Sequence, residues 1–583
     1  MTDNRVWKLP ENAPDPAALA AAWTRVIENG LAALTAGAQP GGTFAFDPTA
    51  PGRAMADFTA QLWQNPAALL QASQAAAAEW MEFWTAAARR ATGQAVEPVI
   101  APERGDRRFM DPAWSEEPVF DYLKQAYLLA SRQAADLVNK AQGVDEATRT
   151  RAEFYTQAYL AALSPANFAF TNPEAIRRAI DTGSISLLSG LANLLADAAT
   201  EAKLPVRRAS AEFELGKDIA ATPGSVVFQN ELMQLIQYAP ATDEVYRRPL
   251  LYVPPLVNKY YLLDLQPRSS LVRWLVEQGH TLFVISWVNP GPELADKGLD
   301  AYLDEGPLAA LDAIEAATGE TEVDLFGFCM GGTLAAMAAK RAAPGRIASL
   351  TTIGSMFDFS NMGQWATFRE SAQLEAMERH LDAKGVMAAH EMQALFSVVR
   401  ANDLIWSSVV SHYLLDKQAP PSDILHWFAD GAHIPKAFLL DWAKRILVGN
   451  ELTAPGALAF DTPAMVISLK DDHVSAWQAT YDGAKLLGGE TRFLLGGSGH
   501  NAGVINPPAA NKHGYWTNAE MPADAEAWLE GAIRHDGSWW PEWQAWLVRD
   551  PGSGSGVGAA AKVKARKPKK EIEPAPGSYV RMR

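Results

Sequence analysis

The stretch Gly327-Phe328-Cys329-Met330-Gly331 has the residue types and spacing of a nucleophile turn, with a thiol where a serine hydroxyl is commoner. Cys329 is the only cysteine among 583 residues. EVDLF before it reads as a strand and TLAAMAAKRAA after it as a helix. Glycines two positions either side of the sulfur let that strand and helix pass close together. The backbone N–H of Met330 is then a candidate donor to a developing oxyanion. Attack by this thiol on an acyl group is the implied chemistry, and it needs a base and an acid.

In a fold built around such a turn, the acid and then the histidine follow in loops after later strands. PAMVISLK is followed by Asp471-Asp472-His473, and TRFLL by Gly496-Gly497-Ser498-Gly499-His500. SAWQATYDGAKLLGG leaves one helix between them. His500 is the expected base and Asp472 the expected acid, with Asp471 as its competitor. His473 is a candidate lining residue beside the acid. A second oxyanion donor is expected in the loop after LLYVPP, where the N–H of Val257 is favoured over Leu256 and Asn258. His280 reads as packing, and His380, His390 and His535 as solvated. Asp324, in the nucleophile strand, reads as a local polar contact.

These groups need a scaffold. Six short apolar runs each end in turn residues: RRPLLYVPPLVN, HTLFVISWVNP, EVDLFGFCMGG, RIASLTTIGS, PAMVISLKDDH and TRFLLGGSGH. Such runs are strands buried on both faces. Helical segments such as SSLVRWLVEQG and GPLAALDAIEAATG alternate with them. The fold class is therefore α/β: an α/β-hydrolase catalytic domain with a doubly wound, mostly parallel sheet. We place it at residues 211–550, with a helical cap inserted at about 358–450. Residues 1–210 read as a helical N-terminal domain, rich in alanine, with Asp111-Pro112, Ser164-Pro165 and Asn172-Pro173 as turns or helix starts. Residues 551–583 form a Gly/Ser linker and a basic tail, expected to be flexible or docked on something else.

A single cysteine excludes an intrachain disulfide and a Cys₂ or Cys₄ zinc site. No metal or resident cofactor is expected. The net charge of −16 argues against nucleic-acid binding by the body of the protein, although AKVKARKPKK carries six basic residues and no acidic one. The amino terminus does not read as a signal peptide. SISLLSGLANLLADAA is shorter than the roughly 20 apolar residues of a membrane span and reads as a buried helix. A cytoplasmic location is expected.

At this length of motif the chain resembles the polyhydroxyalkanoate synthases, which polymerise (R)-3-hydroxyacyl-CoA into polyester granules. The resemblance runs through DRRFMDPAWSEEPVFDYLKQAYLL, LSPANFAFTNPEA, FELGKDIAATPGSVVFQNELMQLIQY, VPPLVNKYYLLDLQPRSSLVRWLVEQGHTLFVISWVNP, FGFCMGGTL, DDHVSAW and SGHNAGVINPP. PAPGSYV near the end resembles the single-subunit type for short monomers, called class I. The resemblance implies a nucleophile at Cys329, an acid at Asp472 and a base at His500. It implies 3-hydroxybutyryl-CoA as monomer and coenzyme A as product rather than cofactor. It also implies a homodimer, association with the growing polyester and its granule, and contact with granule-associated proteins. Asn501 departs from the pattern, where an apolar residue is expected. With Ala502 it is a candidate for tuning which monomers are accepted. The same Cys-His-Asp set would serve a thioesterase, and a granule scaffold with an idle site is the non-enzymatic alternative.

Overall fold

The computed structural model describes residues 15–37, 47, 49–103, 105–200, 213–417, 420–548 and 561–583. Contacts divide the chain into two units. One comprises Met1–Arg208 with Gln364–Ala376 and His390–Pro420; the other comprises Ala209–Gly363, Met377–Ala389 and Pro421–Arg583.

The first unit is helical. Its main helices are Pro16–Gly37, Ala50–Leu62, Pro66–Ala91, Pro118–Asn139, Glu146–Ala162, Pro173–Asp181 and Ile185–Ala198. Asn172 starts a helix as its position before Pro173 predicts: its side chain accepts from the N–H groups of Glu174 and Ala175 at 2.9 and 3.2 Å. Ile185–Ala198 departs from expectation. It buries Ser186, Ser189, Gly190 and Ala192 and leaves Leu191 and Leu194 exposed. The cause is close packing. A Cβ on Gly190 would stand 1.8 Å from the Tyr413 carbonyl oxygen, so only a small-residue face fits there. The Tyr413 hydroxyl donates to Asp197 at 2.8 Å. Part of the inserted helical stretch thus belongs to this unit. Among the described residues no single helix is long and apolar enough to cross a membrane, though Pro173–Asp181 and Ile185–Ala198 pass that test as a pair bent by 111°.

The second unit is built on a sheet. Its strands in chain order are β1 (Gly224–Gln229), β2 (Met233–Tyr238), β3 (Glu244–Tyr246), β4 (Leu250–Val253), β5 (Leu282–Trp287), β6 (Val323–Phe328) and β7 (Ile347–Ile353). There follow β8 (Val386–Met387), β9 (Ile434–Pro435), β10 (Ala464–Leu469), β11 (Thr491–Gly496), β12 (Tyr515–Thr517), β13 (Ile533–His535), β14 (Lys562–Lys564) and β15 (Glu573–Pro574). Eleven of them form one sheet in the order β13-β12-β11-β10-β7-β6-β4-β5-β2-β1-β15. The run from β11 to β5 is parallel throughout. These are the six apolar runs of the sequence, and β4, β6 and β10 are buried at every position. The flanking strands pair antiparallel.

Of the two expectations for the carboxy-terminal tail, flexible or docked, its described residues take the docked one. From residue 561 it lies on the second unit rather than hanging free. β14 pairs with β3, and β15 with β1. Val580 is buried, and Arg566 bonds Glu320 at 2.5 Å. Within the basic run, Arg566 finds an acidic partner on its own chain, Glu320.

Candidate active site

β6 ends at Phe328, and the helix Met330–Arg341 begins one residue after Cys329. Cys329 is forced to φ 55°, ψ −131°, a strained conformation for a residue with a side chain. Glycines make the turn possible. A Cβ on Gly327 would meet the Gly331 carbonyl oxygen at 2.4 Å, and one on Gly332 the Ser355 Oγ at 2.0 Å. The Cys329 N–H is held by the Ile353 carbonyl at 2.8 Å. Met330 is the first helical residue, so its N–H has no acceptor in a preceding helical turn and is open to an anion.

Asp472 follows β10 and His500 follows β11. Asp472 Oδ2 lies 2.6 Å from His500 Nδ1. Its Oδ1 accepts the backbone N–H groups of Val474 and Ser475 at 2.8 and 2.9 Å. Both side chains are buried, the carboxylate fully. Asp471, the competing acid, is exposed. Nδ1 being engaged, Nε2 is the ring nitrogen left for the thiol. Burial disfavours the imidazolium, yet Asp472 and the Cys329 sulfur outweigh it and push the His500 pKa up to about 10. The loop carrying His500 is pinned from below. Trp539 and Trp540 donate to the carbonyls of Gly503 and Val504 at 2.8 and 3.0 Å.

Some contributors escaped the sequence reading. The Phe328 ring lies 4.7 Å from the imidazole of His500. Gly354, at φ 55°, ends β7 beneath the pair, where a Cβ would come to 3.3 Å of His500 Cε1. The glycine closing RIASLTTIG was the only local signal for it. The Tyr252 hydroxyl is buried and has no hydrogen-bond partner among the described residues, and burial, with the nearby Cys329 sulfur, raises its pKa; nothing in its sequence neighbourhood marks it.

The remaining candidates are placed as follows. Val257 lies in the loop after β4 and is partly exposed between buried neighbours. Its carbonyl accepts from Ala432 N–H at 3.1 Å. A Cβ on Gly331 would touch the Val253 carbonyl oxygen at 2.2 Å, so this loop and the cysteine turn share one wall. His473 is exposed, Asn501 is half-buried and Ala502 is exposed, in the turns that follow the acid and the base. His280 is packed, its ring 2.6 Å from Gln544 Oε1, and burial lowers its pKa to about 4. His380, expected to be solvated, is buried. Asp324 accepts from Ser349 at 2.6 Å and pairs with Arg248 at 3.2 Å.

A family model described as "Poly-beta-hydroxybutyrate polymerase (PhaC) N-terminus" matches residues 105–275, and one for the alpha/beta hydrolase fold matches residues 249–507. A poly(3-hydroxyalkanoate) polymerase of Methylorubrum extorquens is 39% identical over 550 residues, covering 90% of this chain and 89% of its own. The chain belongs to the poly(3-hydroxyalkanoate) polymerase family. A poly(3-hydroxyalkanoate) polymerase subunit PhaC of Cupriavidus necator and a poly(3-hydroxyalkanoate) polymerase 1 of Ectopseudomonas oleovorans are 39% and 37% identical, covering 82% and 83% of this chain and 83% and 88% of their own. Membership makes this polymerase chain an acyltransferase on an α/β-hydrolase fold.

Proposed function

We propose that the chain polymerises (R)-3-hydroxyacyl-CoA, with 3-hydroxybutyryl-CoA as monomer, and releases coenzyme A through an acyl-enzyme on Cys329. The observation that carries the reading is the buried Asp472–His500 pair set against an elbow cysteine, in a chain of polymerase kinship.

His500 takes the thiol proton, and Asp472 holds the ring and its charge. The thiolate attacks the CoA thioester, the N–H groups of Met330 and Val257 hold the oxyanion, and CoA leaves with the proton from His500. Sulfur suits this step: one thioester becomes another, so the acyl group stays activated. The 3-hydroxyl of a second monomer-CoA, giving its proton to His500, then attacks the enzyme thioester: the oxygen ester forms, the bond to the Cys329 sulfur breaks, and the elongated acyl-CoA reloads the freed Cys329 with release of CoA, a downhill exchange of thioester for oxygen ester. His473, Asn501 and Ala502 are the residues we assign to monomer selection. The cycle needs no metal and no resident cofactor.

We also assign the helical unit to contact with the polyester surface. Its helix Pro16–Gly37 exposes Trp23, Ile27 and Leu31 four residues apart on one face, and Phe170 and Trp84 are exposed elsewhere on the unit. A cytoplasmic, granule-bound homodimer, in contact with granule-associated proteins, completes the proposal.

Purified protein with (R)-3-hydroxybutyryl-CoA tests the reading, with free CoA and acyl product followed beside a Cys329→Ala control. CoA release with insoluble polyester, lost in the control, is expected. Release of soluble hydroxybutyrate alone would replace it with a hydrolase.

A further inference from the structure

The chemistry above leaves a buried lysine, Lys259, in the catalytic unit without a task. The Lys259 side chain is 5% exposed. Its ammonium donates to Asp430 Oδ1 at 2.6 Å and to the Met582 carbonyl at 3.0 Å. Asp430 Oδ2 accepts from the Tyr261 hydroxyl at 2.8 Å. Removing two charges from water is costly, and apolar packing of equal volume would stabilise a core at least as well. Such a pair therefore suggests a demand for one particular geometry.

The geometry belongs to the loop after β4. Trp427 Nε1 donates to the Lys259 carbonyl at 2.7 Å. Asn258 bridges to Gly431, and Ala432 N–H bonds the Val257 carbonyl at 3.1 Å. Residues 257–259 are thus tied to residues 427–432 by main-chain and side-chain bonds together. The Lys259–Asp430 pair lies at the centre of these ties, and Met582, at the far end of the sequence, closes over it. Val257 is two residues from Lys259, and its N–H makes no hydrogen bond among the described residues.

We propose that Lys259, Asp430 and the Met582 carbonyl form a latch that fixes the Val257 N–H in the oxyanion site, so that Lys259 is a positioning residue for acyl transfer. This rests on the proposed acyl-enzyme chemistry and adds to it a group that touches no substrate. A loose loop would leave the thiolate intact and weaken the transition state alone.

The test compares Lys259→Met, Asp430→Asn and their double variant with the unaltered protein, all full length. Three readouts are taken: kcat and KM for CoA release from (R)-3-hydroxybutyryl-CoA, the rate of Cys329 alkylation by iodoacetamide, and the melting temperature. Alkylation develops no oxyanion, so it reports on the nucleophile alone. A fall in kcat of about 10- to 100-fold is expected, with KM and alkylation changed less than about twofold, because losing one oxyanion donor costs about 10²–10³. The double variant should be no worse than Lys259→Met, since both singles open one latch. Unaltered kcat would overturn the latch, as would alkylation falling in step with kcat, which marks a collapsed site. If Lys259→Met does not fold, Tyr261→Phe decides, because it removes one hydrogen bond from Asp430 and little volume. A several-fold lower kcat with unaltered alkylation supports the latch, and unaltered kcat overturns it. An unaltered protein that releases no CoA defeats the polymerase reading and the latch with it. Release by that protein with unaffected variants defeats the latch alone.

Discussion

Gly331 stands so close to Val253 that a Cβ on it would come to 2.2 Å of the Val253 carbonyl oxygen. The cysteine turn is therefore wedged against the end of β4, and the contact is backbone to backbone, with no side chain able to yield. Gly331→Ala should cost about 1–3 kcal/mol of stability, as overpacking does. It should also lower CoA release out of proportion, because the wedge sets the distance between Met330 N–H and the β4 loop. Urea denaturation and initial rates on one preparation check both. A variant as stable and active as the parent would refute the wedge.

Cys329→Ser keeps the shape of the turn and changes the leaving group. An acyl-oxygen ester at residue 329 is no more activated than the polymer bond it must form. The variant should make no polymer, and any acyl group loaded should remain on the protein as a stable mass increment. Intact-protein mass spectrometry after incubation with substrate reads this directly. Turnover to polyester would contradict the thioester argument.

Asp472→Asn removes the charge that favours imidazolium at His500 while leaving a similar shape. CoA release should fall by about 10²–10⁴, the range for a displaced acid–base system. Alkylation of Cys329 near pH 7 should slow as well, since the base that takes its proton is weakened. Equal alkylation rates in parent and variant would show that His500 does not govern the thiol.

Two buried histidines should move stability in opposite directions with pH. Burial lowers His280 to about 4, below its unfolded value near 6.5. The unfolded chain then binds the extra proton, so this contribution is full above pH 6.5 and is lost as pH falls toward 4, by about 3 kcal/mol. His500 is raised to about 10. Its contribution is full below pH 6.5 and is lost as pH rises toward 10. Unfolding curves for His280→Gln and His500→Gln across pH 4–10 should each remove one limb of the parent's profile. A variant that leaves its limb in place rules out the assigned histidine.

The six parallel strands were legible because a strand buried on both faces is apolar at nearly every position, as β6 and β10 are. The antiparallel flanks were not. β1 and β2 carry Gln229, Gln234 and Gln237 among their apolar residues, and β12 to β15 are two or three residues long. Cys329, Asp472 and His500 lie in the turns after β6, β10 and β11, where fold order put the candidates, and Asp472 rather than Asp471 lies against the ring. Gly354 and Tyr252 reach the site through strand neighbours far away in sequence, and no local pattern marks such contacts. The surface on which the tail docks was hidden for the same reason. Lys562 and Lys564 stay exposed, and the strand they flank is defined only by its pairing with β3.

β15 has a consequence of its own. It is the last strand on its side of the sheet, two residues long, and Pro574 within it has no N–H to offer. Long open sheet edges recruit strands from neighbouring molecules, and crowding makes that worse. Here the chain has folded its own end over the exposed margin and finished it with a residue that cannot donate. That short, proline-bearing margin offers little for a strand of another molecule to pair with.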